Sequence, residues 1–559
     1  MRRFASIDFL RGIAIVLMLF LHVILHVLDI DAYLNQINDI ALINLIAFII
    51  LPFLGGLAGF FLMVSAIGNM ISMYRHLQAG KSVKALIIRQ IMGGVLLLIF
   101  AMLAESVFGI HGAIANLAQS LDNLADWNWE VILYRSYHFE TIHTIAWAII
   151  LNGIVQGILS RNGGWKNAKR LITIYAFLAA VILVLTPIMW GVVDLIIPDY
   201  PFATNPLTGK SVQYPYLGIS EWWEFITLFF FNAIAGKEEP MFPYLAVSFI
   251  GSIVGIMLAQ ERKEVHLNFP KRMMQIGFLA FIIGAIGLVV NLIVMMDTSG
   301  IDATLNMYKG LAFHRNWVPE NGVPFLGWLF QFLCLNGTAL CLIMVVVRVV
   351  EFRGRGKQFA DKTRFIRRFG FVAFTVYSIQ FVYYIVHYFI SSLFYGEAYK
   401  KLDWGGTFFT MGIVFLLFWA ILILWEKVKF TGSFEWSIGT IAALVIPARK
   451  VKVKWWKAGQ LNVEEAFYNA EWLNIVEKDE ISHETQTDSK LVSKLSWFGF
   501  IFVPISIITY IIARNSVRTE KANKFNKRAR IVALAGIIFF LIWLILSLFL
   551  SLSDLGISL

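Results

Sequence analysis

Residues 3–29, RFASIDFLRGIAIVLMLFLHVILHVLD, decide the fold. The run is long and apolar enough to cross a bilayer, which takes about 20 residues. It nevertheless holds Asp8, Arg11, His22 and His26. At about 100° per residue, Arg11 and His22 differ by about 20° and Asp8 and His22 by about 40°. All four therefore share one stripe, with His22 about 16 Å beyond Arg11. Lipid cannot solvate such a stripe, so it must face a partner or a wet cavity. Two readings follow from these residues. In one, Asp8 and Arg11 pair at (i, i+3) and His22 bonds a carbonyl on a neighbouring helix. In the other, the stripe lines a watery tunnel and works chemically.

The remainder of the chain agrees with a membrane setting. Of 559 residues, 58% are hydrophobic and only 15% are charged, and the mean hydropathy is +0.71. These values exclude a soluble domain. The first run lacks a cleavage site and carries the stripe, so it is expected to stay as a helix. Cys334 and Cys341 lie seven residues apart on one predicted helix. That spacing is about 10.5 Å of rise, too far for a disulfide.

Apolar runs predict spans at 7–28, 56–74, 83–105, 137–159, 171–193, 241–260, 273–296, 325–350, 369–394 and 404–426. The run 42–53 reads as an interfacial or broken entry to the second span, and Gly55 with Gly59 as a close-packing pair. Loops 75–82, 160–170, 261–272 and 351–368 are basic, whereas 106–136 and 194–240 are acidic. This alternation predicts a multi-pass protein of the cell membrane with a cytoplasmic N-terminus. It also accounts for the net charge of +11 without any nucleic acid. The segment 221–235, with Trp222 and Trp223, is expected to lie in the interface.

The expected architecture is all-α: a polytopic transmembrane helix bundle of about ten helices over 1–447. A soluble polar linker segment, 448–496, and a C-terminal two-helix membrane hairpin, 497–559, follow. The basic stretch between the last two apolar runs should be cytoplasmic. Either 434–447 crosses the membrane, then, or 497–513 is re-entrant, and the second is favoured.

The first helix also carries a resemblance. R-x-x-S-I-D-x-L-R-G-I-A-I, followed by a His fourteen residues after the Asp, is similar to the opening of a membrane acyltransferase superfamily. That group includes heparan-α-glucosaminide N-acetyltransferase, YeiB-like proteins and the bacterial acyltransferase-three family. The matched residues are Arg3, Asp8, Arg11, Gly12 and His22. Three further stretches resemble YeiB-like signatures in the right order: EPMFPYLAVSFIGSIVG (239–255), GFVAFTVYSIQ (370–380) and FTGSFEW (430–436). YRSYHFETIHTIAWAII resembles the superfamily's "ILH-x-I-G" pattern, with His143 on its His. The heparan-type transferases have Asn at the place of His22 and their His later, where this chain has Tyr33. They have His at the place of Gln380.

The resemblance implies transfer of an acyl group, most simply acetyl, from acyl-CoA to a glycan or lipid-linked acceptor. His22 would be the base or transient acyl carrier, since imidazole titrates near neutrality. Asp8 and Arg11 would shape the donor's entrance. Arg89 would contact a coenzyme phosphate or merely anchor the third span. His26 would pass a proton outward. Glu140 and His143, three residues apart on one helix face, would face the acceptor or form a local anchoring pair. Gln380 would join the substrate-binding set, and Glu435 would cap a helix or pair with the basic loops. No metal motif, P-loop or Rossmann pattern occurs. Membrane lipids are the surrounding partner, and a homodimer is an open arrangement. The rival classes are a transporter or channel with a proton or anion path along the first helix, and a non-catalytic scaffold or sensor.

Overall fold

The structure, a computed structural model, describes residues 2–30, 53, 56–129, 131–136, 138–196, 222–236, 239–309, 327–445, 461–476, 487–500 and 503–554. Tyr33, residues 42–52 of the 42–53 run and Gly55 lie outside the described residues.

Helices dominate because hydrocarbon offers the backbone no other hydrogen-bond partners. The principal helices are α1 (Ala5–Val27), α2 (Leu57–Gln78), α3 (Val83–Leu103), α4 (Thr141–Leu159), α5 (Ala168–Ile196), α6 (Trp222–Ala235), α7 (Met241–Ala259), α8 (Phe269–Lys309) and α9 (Gly327–Val350). They continue with α10 (Arg364–Phe371), α11 (Ala373–Ser378), α12 (Val382–Tyr395), α13 (Trp404–Lys427) and α14 (Phe434–Val445). The last three are α15 (Thr487–Leu495), α16 (Val503–Glu520) and α17 (Lys524–Asp554). Among the described residues, 9 helices are long and apolar enough to cross a membrane. The chain is an all-α, multi-pass membrane bundle.

The expected ninth span, 369–394, is not one helix. It is broken at Val372 and again at 379–381, giving α10, α11 and α12. Apolar content predicted continuity, but a remote group supplies what the break needs. Glu435 Oε1 accepts from the backbone N of Phe374 at 2.7 Å, and Thr375 Oγ1 donates to Glu435 Oε2 at 2.5 Å. The carboxylate thus caps the start of α11, as it would a helix N-terminus anywhere. Irregular backbone at such a depth is tolerated only inside protein or beside a cavity.

α1 packs against α2, α9, α10 and α13. Glycine permits the closest of these contacts. A Cβ on Gly12 would overlap the carbonyl oxygen of Ile366, and one on Gly370 would sit 2.6 Å from Gly12 N. Gly59 likewise leaves room for the Asn336 side chain of α9. α7 is central, with 78% of its apolar window buried, against 22% for α5 and for α8, which present apolar surface outward.

Both ends of α1 are fastened by distant chain. Phe4 gives no side-chain cap; instead Glu351 Oε1, fully buried, accepts from Ser6 N at 2.9 Å. At the other end Leu402 N donates to Val27 O at 2.8 Å, and Asp29 N to Leu402 O at 2.9 Å. Residues 461–476 are not merely a linker. Val463, Ala466, Phe467 and Ile475 join the main core. Their strand β2 (Glu471–Trp472) pairs in parallel with β1 (Arg2–Arg3). α16 and α17 form the C-terminal hairpin, with α15 against both and α17 touching α13. α14, at 12 residues, covers only about 18 Å, short of a bilayer.

Candidate functional site

The stripe on α1 divides into two separate centres. At the start of the helix, Asp8 does not pair with Arg11. Arg3 takes it instead, with Nε 2.7 Å from Oδ2 and Nη2 2.9 Å from Oδ1. The expected (i, i+3) pair fails for a geometric reason. Arg3 precedes the helix in extended backbone and can fold back to offer a flat two-pronged donor, which matches a carboxylate better. Burial works against the Arg3 charge, but the Asp8 carboxylate more than offsets it and holds the pKa above its ordinary value. Arg11 is half-buried, and its charged neighbours are Asp8, Glu435 and Arg3.

The void at this end, lined by Arg3, Asp8, Arg367, Gly370 and Phe467 among others, measures about 10 Å³. That is room for one water.

The second centre lies on the far half of α1. His22 sits six residues past the helix midpoint, about 9 Å, rather than at mid-depth. Its Nδ1 is 2.6 Å from Oε1 of Gln380. An amide oxygen only accepts, so Nδ1 carries the proton and Nε2 is the basic nitrogen. Gln380, 1% exposed, is held there by the break between α11 and α12. One turn on, His26 Nδ1 is 3.2 Å from the Tyr384 hydroxyl. The rings of Tyr383 and His111 lie 5.7 and 6.1 Å from His26. The Nε2–H of His387 donates to Lys400 O at 2.8 Å. Tyr383, Tyr384, His387 and His111 were invisible to sequence reasoning. Tyr383, Tyr384 and His387 lie within the apolar run 369–394 and His111 in the acidic loop 106–136, where no local pattern singles them out.

The remaining expected residues lie elsewhere. Arg89, exposed on α3, donates to Nε2 of His76 at the end of α2. No described contact brings it to His22. Glu140 and His143 do not pair through their side chains. His138 Nε2 meets Glu140 Oε1 at 2.9 Å, while His143 Nδ1 accepts the backbone N–H of Glu140 at 3.1 Å. His143 is the third residue into α4, so its ring reaches the helix's first free N–H more readily than the carboxylate. His138 is buried. His143 Nε2 is buried without a hydrogen-bond partner among the described residues, beside the rings of Phe139 and Phe229. Between α2, α4 and α7 lies another void of about 10 Å³, lined by Ser65, Asn69, Asn152 and Ser248 among others. Asn152 Nδ2 donates to Ser248 Oγ at 2.5 Å, and Asn152 Oδ1 has no partner among the described residues. A single internal water fits such a cell.

These features define a class: a polytopic helical membrane protein with an imidazole–amide centre between its first helix and a broken one. Comparison with family models and with curated proteins finds no match for this chain.

Proposed function

We propose that this protein is a membrane acyltransferase that moves an acyl group, most simply acetyl, from acyl-CoA to a glycan or lipid-linked acceptor. The observation that carries the reading is the His22–Gln380 hydrogen bond of 2.6 Å. It fixes the tautomer in which Nε2 is a base. In the reaction, Nε2 takes the proton from an acceptor hydroxyl or amine. The acceptor atom attacks the thioester carbonyl, the carbon–sulfur bond breaks, and the proton returns to the departing thiolate. Gln380 accepts from Nδ1–H throughout and stabilises the imidazolium. Arg11 steers the donor from a cytoplasmic N-terminal end, with Arg89 on the same surface, and His143 Nε2–H is a donor for an acceptor oxygen. The motif resemblance supports the same assignment.

The test is acetyl transfer from labelled acetyl-CoA by the purified protein in liposomes. Turnover supports the proposal; its absence with every glycan and lipid acceptor tried counts against it. A positioning role for Gln380 has its own signature. Gln380→Leu is expected to lower turnover about 10- to 100-fold, as loss of an orienting partner does elsewhere. Gln380→Glu should retain turnover and move the pH profile to the alkaline side, because a carboxylate favours the protonated imidazole. An unmoved profile would assign Gln380 to packing alone.

The second reading, a transporter or channel, draws on the run His22, His26, Tyr384 and His111 along one end of α1. Proton or anion flux without acetyl-CoA would favour it.

A further inference from the structure

We propose that residues 461–476 form an acidic lid over an arginine-lined mouth, and that a di- or triphosphate-type anion displaces it. The segment, LNVEEAFYNAEWLNIV, carries Glu464, Glu465 and Glu471 and no basic residue. Besides backbone bonds to Glu351 and a bond from Gly356 N to Asn474 Oδ1, several of its fastenings fall on arginines. The Nη1 of Arg367 donates to Ala466 O at 3.2 Å. Its guanidinium lies 4.6 Å from the Trp472 ring and 5.4 Å from that of Phe467. Arg262 Nε donates to Ile475 O at 2.7 Å. The guanidinium of Arg364 stands 4.7 Å from the Tyr468 ring. The Tyr468 hydroxyl donates at 2.6 Å to Glu426, the partner of Arg368. Arg3 meets the lid through its backbone, its carbonyl accepting from Leu473 N at 2.9 Å.

Three guanidiniums, those of Arg262, Arg364 and Arg367, thus converge on one short segment, which also pairs with the backbone of Arg3. Burial lowers Arg367 first, with Asp8 opposing it, to a pKa of about 10, so it remains cationic at neutral pH. Beneath the lid is the water-sized void at Arg3 and Asp8.

Carbonyl oxygens and aromatic faces are what these guanidinium groups engage when no phosphate is present. Each arginine fastening is individually weak, with cation–π and hydrogen-bond contributions of about 1 kcal/mol, and the apolar side chains Val463, Ala466, Phe467 and Ile475 supply the rest of the hold. A multivalent anion bonds the same forks bidentately and more strongly. When the lid leaves, Arg262, Arg364 and Arg367 lose these partners together and present a site for such an anion. The device does not depend on which reaction occurs at His22, so it stands or falls separately from the acyltransferase reading.

The test follows opening at Ala466, which is 1% exposed. Ala466→Cys is made with Cys334→Ala and Cys341→Ala, and the full chain is placed in vesicles of neutral lipid. Maleimide labelling is expected to be slow, and about tenfold faster with pyrophosphate or after Trp472→Ala, as for a weakened local closure. A parallel arm adds anionic phospholipid in place of pyrophosphate. Faster labelling there alone assigns the anion to a lipid headgroup; faster labelling with pyrophosphate assigns it to a free phosphate compound. If that variant fails to fold, cleavage of the unaltered chain by a glutamyl endopeptidase at Glu464, Glu465 and Glu471 gives the same readout. Labelling and cleavage that neither pyrophosphate nor anionic lipid accelerates would overturn the proposal.

Discussion

His22→Ala is expected to lower acetyl transfer by about 10²- to 10⁴-fold, the usual contribution of a positioned general base. The protein should still purify as a folded species, because His22 is only half-buried and an alanine there removes an imidazole without disturbing the closest backbone contacts of α1. The comparison is made at saturating donor, so that kcat rather than KM reports the chemistry. Retention of full turnover would remove His22 from the reaction and leave the His26–Tyr384 group as the next candidate. Loss of proton or anion flux instead of transfer would move the same residue into the transporter reading.

Gly12→Ala is expected to destabilise the folded protein by about 2–3 kcal/mol, at the upper part of the range for overpacking. The new methyl would overlap the carbonyl oxygen of Ile366. That atom belongs to backbone, which cannot swing aside as a side chain can. α1 must then move away from α10, and Asp8, Arg11 and His22 move with it. Gly370→Ala should act through the same contact, since its Cβ would lie 2.8 Å from Asp8 O. The double variant should therefore cost less than the sum of the two. Thermal unfolding in detergent measures all three. A Gly12→Ala protein as stable as the parent would show that the glycine in the R-G-I-A stretch is not there for packing.

Much of the site could be read in advance. The placing of Asp8, Arg11, His22 and His26 on one stripe needs only helical periodicity, and Gln380 and Glu435 stood out in motif-like stretches. What could not be read was who meets whom. Arg3 outcompetes Arg11 for Asp8 because it lies before the helix, where periodicity says nothing. His22 and Gln380 are 358 residues apart, and no local pattern links them. Glu140 stands near His138 and His143 alike, and only the backbone turn at the start of α4 decides between them. The break in 369–394 was hidden because Phe, Val and Ile read as a continuous span, while its capping carboxylate sits about sixty residues later.

Residue order and spacing are enough to make this chain a bundle of apolar helices with an ionisable ridge in the first. Hydrocarbon leaves a backbone almost no alternative to the helix, and helical phase follows from residue spacing alone. That the ridge splits into an arginine-bound acid and an amide-bound imidazole, and that 461–476 packs over one end, follows from the assembled fold alone. Those outcomes rest on contacts between segments far apart in the chain, where reach, fork geometry and burial select among several chemically adequate partners.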